Sequence, residues 1–388
     1  MKKIVGTIAA IALAASSAFA GVNVGMGFNR ALFTPFAIGS AEGSKAEMST
    51  CVSWGGAPRV GVSFSAAGEQ IGVVGDIKLD GNAVAVNDNA YIWIKPFSWL
   101  KVQIGQSFED SLRGSMCFGT WDWLRQWGVM TGDDLTFTRM ADVKNSKGSD
   151  ESTALLGAII ALTPIEGLNI NVGLKTGAVD TDIGKESYVD KDGNTVVVDK
   201  KQASYGACDA EKVFKNIQVQ VGYAIPNVAQ IKAQYIGMGD HGIINAAVGI
   251  NAVEDMKLEV GAFIDTKEKE DIVIGAIWGM PVGPVNLNAN VKFAIPTDSA
   301  RKADLVAGVG AGFDCGNGLG VTADVRVHQS FAEGAKTDLG FGLYADKWLG
   351  NGSVGVGFEG AVNGTSIAGT NAAGDFKMAI PVRVQCFF

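Results

Sequence analysis

The last thirteen residues, Phe376 to Phe388 (FKMAIPVRVQCFF), limit what this chain can fold into more than any other stretch. By parity, Phe376, Met378, Ile380, Val382, Val384, Cys386 and Phe388 are all apolar. Lys377, Ala379, Pro381, Arg383, Gln385 and Phe387 are mostly polar or small. Successive side chains of a strand point to opposite faces, so this stretch predicts a long amphipathic strand, oily on one side and wet on the other. Pro381 removes one ladder donor from it.

The same period recurs upstream. Val22, Val24, Met26 and Phe28 share one face of Gly21–Asn29, and Leu168, Ile170, Val172 and Leu174 alternate with Asn169, Asn171 and Gly173. Ile217 to Tyr223, Val285 to Lys292 and Val321 to His328 repeat the pattern, with Gln, Asn, Thr, Asp and Arg on the second face. Each has the period of a half-buried strand. A soluble sandwich shares that period, but Asn, Gln, Gly, Thr and isolated charges suit a water-filled lumen better than a packed core.

Met1 to Ala20 reads as a secretory signal peptide: Lys2 and Lys3, an apolar run from Ile4 to Ala15, then Ala18-Phe19-Ala20 before Gly21. No Cys follows the cleavage point, which argues against a lipid anchor. The 388 residues less those 20 leave 368. They hold no uninterrupted apolar run of the ~18 residues that a membrane helix needs. Yet mean hydropathy is +0.19, glycines number 52 and only 19% of residues are charged. Apolar content spread as alternation fits a β-barrel in lipid, where every backbone group must be paired internally. The formal charge of −8, or −10 without Lys2 and Lys3, argues against nucleic acid, which needs basic clusters.

A chain stopping on such a strand, at an aromatic residue, resembles a bacterial outer-membrane β-barrel of the porin type, with no subfamily motif matched. The resemblance implies that Ile380, Val382, Val384 and Phe388 carry the signal read by the barrel assembly machinery. Short turns recur at Ala66–Gly68, Pro96–Ser98, Pro164–Gly167, Pro226-Asn227, Val253–Asp255, Pro281–Pro284, Cys315–Gly318 and Lys347–Asn351, built from residues that preset or tolerate turn dihedrals. Longer stretches lie between them, including Glu109 to Ser152, Gly177 to Lys212 and Gly360 to Gly374. Phe97, Trp99, Tyr223, Trp278, Tyr344, Trp348 and Phe388 crowd the short-turn end, as an interfacial girdle would. The expected fold is an all-β, transmembrane antiparallel barrel of about 16–18 strands, forming one domain over residues 21–388. Short periplasmic turns, long external loops and one loop folded into the lumen complete it. A bore that wide is not filled by side chains.

Glu109 to Ser152 follows the fifth expected strand and resembles the inward-folded constriction loop of porins in position and length. Long structureless loops are uncommon and often functional. Glu109, Asp110, Arg113, Asp122, Arg125, Asp133 and Asp134 are its candidate constriction residues, and Lys175, Lys292, Arg326 and Arg383 are candidates for the facing wall. Opposed charges across a waist set a transverse field and a size limit. Trp121, Trp123 and Trp127 read as packing residues ahead of sugar-stacking ones, since the inward faces carry almost no aromatics.

Five separated cysteines without a CxxC pair argue against a zinc cage and read as small buried residues. His241, in an expected external turn, and His328, facing the lumen near Ser330, suggest no catalytic set. Asp180 to Asp199 lacks the spaced Glu of a calcium loop and reads as a solvated surface loop. No cofactor, metal or enzymatic activity is expected. The favoured reading is passive diffusion of small hydrophilic solutes through a barrel in outer-membrane lipid, trimeric by resemblance. The alternatives are a plugged structural or adhesive barrel, a channel selective for sugars or organic acids, and a secreted soluble β-protein.

Overall fold

The computed structural model describes residues 22–26, 29–52, 59–80, 83–107, 155–176, 178–189, 195–205, 208–266, 271–363 and 372–386. The chain begins with β1 (Val22–Met26), β2 (Asn29–Gly39), β3 (Glu47–Val52), β4 (Arg59–Ala67), β5 (Ile71–Asp80) and β6 (Ala83–Phe97). Then come β7 (Leu100–Ser107), β8 (Leu155–Leu162), β9 (Leu168–Lys175), β10 (Ala178–Val189), β11 (Thr195–Tyr205) and a short helix, α1 (Ala210–Lys215). β12 (Gln218–Ile225), β13 (Ala229–Gly237), β14 (Gly242–Ile250), β15 (Lys257–Asp265), β16 (Asp271–Val282) and β17 (Val285–Pro296) follow. The last five are β18 (Asp304–Gly316), β19 (Leu319–Ser330), β20 (Asp338–Trp348), β21 (Gly352–Val362) and β22 (Phe376–Cys386).

Twenty strands form one sheet, and β10 and β11 form another. Antiparallel pairing runs from β4 to β9, crosses to β12 and continues to β22. Both ends of this ladder return to the N-terminal segment, β22 onto β2 and β4 onto β1. β3 also pairs with β2, so β1 with β2, and β3 with β4, act as two rungs in four pieces. Twenty strands less two therefore give a closed ladder of eighteen rungs, within the expected range. Among the described residues every strand of this sheet except β1 and β3 is paired on both sides, which is how a barrel hides its strand edges from lipid. No helix among the described residues is long and apolar enough to cross a membrane.

All eight expected short turns fall at one end of the ladder, at 68–70, 98–99, 163–167, 226–228, 251–256, 283–284, 317–318 and 349–351. Asn227, Asp255 and Asn317 hold φ of 57°, 58° and 53° there, a conformation their short polar side chains tolerate. The long connections lie at the other end. The 108–154 connection leaves from β7, the fifth rung. Gly177–Lys212, expected as a loop, contains the β10–β11 hairpin, so the solvated-loop reading of Asp180–Asp199 is corrected. The run Thr195-Val196-Val197-Val198 is β-branched and favours extended backbone. α1 is capped by Asp209, whose carboxylate accepts from the Glu211 amide at 2.8 Å.

The wall is inside-out relative to a globular core. On β22, Phe376, Ile380 and Val384 are exposed, whereas Lys377, Arg383 and Gln385 are buried. On β19, Val325 is 44% exposed between the buried Asp324 and Arg326. Exposed apolar rows on the outside of a closed sheet are what hydrocarbon solvates. The β2–β22 register shifts between Phe33 and Phe36, opposite the stretch that contains Pro381; Pro381 has no N–H, and Pro35 lies within the shift.

At the short-turn end Phe97, Trp99, Tyr223 and Trp348 face outward and exposed. The Phe97 and Trp99 rings stack 5.3 Å apart and 3° from parallel. Trp278 shares the outward face, half-buried, and Phe388 lies outside the described residues. Tyr344 corrects the girdle: it is 1% exposed and points inward, sharing the parity of Gly342 and Asp346. Cys315 is exposed, Cys208 and Cys386 are half-buried, and all three are free thiols, so the buried expectation does not hold for them. Cys315 and Cys386 sit four rungs apart.

Candidate functional site: the inner wall

Every second residue of a rung faces the bore, and on β18–β22 charged residues and glycines are frequent among them. Asp324 lies in register between Gly310 and Gly342, and Arg326 between Gly308 and Gly340. Glycine flanks leave room for a long side chain to lie along the wall. Arg326 is 1% exposed, with its Nε 3.6 Å from Asp324 Oδ1.

The same device recurs one strand on. Asp346 of β20 and Arg383 of β22 both lie opposite Gly355 of β21. Over that gap Arg383 Nη2 donates to Asp346 Oδ1 at 2.8 Å. A Cβ at Gly355 would fall 2.3 Å from Asp346 Oδ1 and 2.8 Å from the Ala345 carbonyl oxygen. Tyr344 lies opposite Gly357, and its hydroxyl donates to Glu359 Oε1 at 3.2 Å. Gln385 Nε2 donates to Ser353 Oγ at 2.8 Å. Asp324, Asp346 and Glu359 thus share one sector with Arg326 and Arg383.

The wall of β7–β13 carries carboxamides. Gln103, Gln218, Gln220 and Gln234 are buried. Asn171, Gln220 and Gln234 stand in register across three rungs, and Asn171 Nδ2 donates to Gln220 Oε1 at 3.2 Å. On β17 the inward residues are Asn286, Asn288, Asn290 and Lys292. Between these sectors, toward the long-loop end, lies an apolar cluster on β13–β16: Ile236, Ile243, Ala247, Phe263, Val273 and Ile277. At the outer rim, His328 Nδ1 is 3.0 Å from Asp338 Oδ2 and Nε2 is 3.4 Å from Asp304 Oδ1. His241 Nδ1 is 2.8 Å from Asp240 Oδ1 in the 238–241 turn. Among the described residues, no three His, Cys, Asp or Glu side chains are placed to hold a metal ion.

The four basic wall candidates all have inward parity. Lys175 and Lys292 are half-buried, the latter between Gly275 and Val306. Arg326 and Arg383 are buried beside carboxylates of their own wall. Glu109, Asp110, Arg113, Asp122, Arg125, Asp133 and Asp134, with Trp121, Trp123 and Trp127, lie outside the described residues. Sequence reasoning missed Asp346, Tyr344 and Glu359, although parity with neighbouring glycines carried the signal. It also undercounted inward aromatics, since Tyr344 and Phe263 both face the bore.

No protein-family model matches the sequence, and no curated protein matches it. Solved structures do match in fold. OccAB4 of Acinetobacter baumannii superposes with a TM-score of 0.55 at 9% identity, over 96% of this chain and 100% of that one. OpdL of Pseudomonas aeruginosa gives 0.52 at 10%, over 95% and 98%. The outer membrane protein OpdK of Pseudomonas aeruginosa gives 0.51 at 11%, over 94% and 98%. At such identities the likeness is one of fold alone: an antiparallel β-barrel like those of OccAB4, OpdL and OpdK.

Proposed function

We propose that the protein is an outer-membrane channel through which small hydrophilic solutes diffuse passively. One observation carries this: around a closed ladder of eighteen rungs, apolar side chains turn outward, and outside the β13–β16 cluster most inward ones are polar or small. A barrel of that size encloses more width than wall side chains fill, and glycine-flanked charges that lie flat keep the bore clear. Residues 1–20 serve as the export signal and 21–388 as the barrel. The outward positions Ile380, Val382 and Val384, with Phe388, present the assembly signal to the barrel assembly machinery. The 109–152 loop sets the size limit, and the barrel works as a trimer in outer-membrane lipid.

Purified protein in planar bilayers should give stepwise, ohmic conductance, and its absence would remove this reading. The sectored wall, with ion pairs on one side and carboxamides on another, favours a selective channel as a second reading. Liposome swelling with sugars and organic acids of matched size separates the two. Rates that follow size alone support the first, and a saturable preference for one class supports the second.

A further inference from the structure

A hollow lies in the outer wall where β16, β17, β18 and β19 run side by side. It encloses about 360 Å³ and is lined mainly by apolar side chains, among them Ala276, Trp278, Ala289, Ala307, Val309 and Val325. That is roughly twelve times the ~30 Å³ share of one liquid water, too large for a packing defect. Parity gives the side: Val291, Val309 and Val325 are exposed, and the alanines share their face. In register, Ala289 lies between Trp278 and Val309, and Ala307 between Val291 and Val327. Alanines flanked by taller side chains sink the wall there.

Water finds too few polar partners in such a hollow, and an empty one forfeits dispersion contacts along its lining. Hydrocarbon fills it, and the charges above and below narrow the source. The β17–β18 connection, at the long-loop end, carries Arg301 and Lys302, both exposed. Its one carboxylate, Asp298, accepts from the Ala300 amide at 2.9 Å, so two cations stand against one acid. The next connection, 331–337, balances Glu333 with Lys336. At the other end the turns 283–284 and 317–318 hold no charged residue. Ala307 is five residues from Lys302, which on a tilted strand lowers the hollow about 12 Å below that cationic rim. Such a depth falls within the outer half of a ~30 Å hydrocarbon layer. A lipid with its phosphate at the rim therefore carries its chains past Phe293 and Leu305 to the hollow.

We propose that the β16–β19 hollow seats one acyl chain of an outer-leaflet lipid whose phosphorylated headgroup is held by Arg301 and Lys302. This rests on the reading that hydrocarbon surrounds the barrel, and it adds a bound lipid to the channel. Chain and headgroup are held by different elements, the β16–β19 wall and the 297–303 connection, so either contact can be removed without the other.

The test titrates bisphosphorylated lipid A, or phosphatidylcholine, into the full chain in detergent and counts bound lipid by native mass spectrometry. The unaltered barrel should retain one lipid A and bind phosphatidylcholine about tenfold more weakly. Ala307→Phe fills the hollow and should weaken lipid A binding by about tenfold. Ala289→Phe repeats this should the first variant fail to fold, as judged by heat-modifiable gel mobility. Arg301→Ser with Lys302→Ser should bring lipid A down to the affinity of phosphatidylcholine. Unchanged binding in the filled or the neutralised variant, or equal affinity for both lipids, would overturn the proposal. So would loss of oligomers in Ala307→Phe, which would make the hollow a seat for a second copy. Planar-bilayer conductance on the same material keeps the two ideas apart. A conducting barrel whose lipid binding ignores these substitutions removes the seat alone, and a lipid-binding barrel that does not conduct removes the channel alone.

Discussion

Gly355 lies between Asp346 and Arg383, and its missing side chain is what lets them meet. Adding one methyl there, Gly355→Ala, sets a Cβ against both the Asp346 carboxylate and the Ala345 carbonyl oxygen. The pair should be displaced and the urea midpoint of the refolded barrel lowered, whereas an unchanged midpoint would show that the wall yields freely. Asp346 and Arg383 side chains are 13% and 7% exposed. Removing one partner of such a buried pair typically destabilises by about 3 kcal/mol, because the other charge is stranded. Asp346→Ala should show that loss in urea unfolding, and adding Arg383→Met should recover most of it. No recovery in the double variant would mean that the carboxylate matters for something besides the arginine. None of this pairing was legible from sequence distance, since Asp346 and Arg383 lie on strands that are not neighbours. Tyr344 was legible and misassigned: nearness to a turn outweighed its parity with Asp346.

The two faces of a rung should respond oppositely to the same substitution. Val309 of β18 is 59% exposed on the outer wall, and Val309→Lys should destabilise the barrel in vesicles by about 2–4 kcal/mol, as a midplane lysine facing lipid does. Asn288→Lys on the inner face of β17 should leave stability nearly unchanged and shift the reversal potential in a salt gradient toward anions. Equal stability losses at both sites would contradict the assigned faces. Most rungs were readable in advance because a period of two survives wherever one face is oily and the other polar. It fails on β14, where Gly242-Ile243-Ile244-Asn245-Ala246-Ala247-Val248 is apolar on both faces but for Asn245, so the inner patch became visible only through register. It fails again on β10 and β11, whose mixed charges read as loop until their mutual pairing is seen.

For the molecule as a whole, the ring of eighteen follows from eight short turns that the sequence marks with Pro, Gly, Asn and Asp. Pairing of β1, β2, β3 and β4 in pieces is what the sequence did not reveal, because it depends on register shifts rather than composition. The central claim is that hydrocarbon lies outside this cylinder and water within. Spin labels placed singly at 286–291 on β17, in a background lacking the native cysteines, test it most directly in lipid vesicles. Collision rates with oxygen should peak at Leu287, Ala289 and Val291, and those with a water-soluble nickel complex at Asn286 and Asn288. The opposite phase, or the two probes peaking at the same positions, would contradict the account.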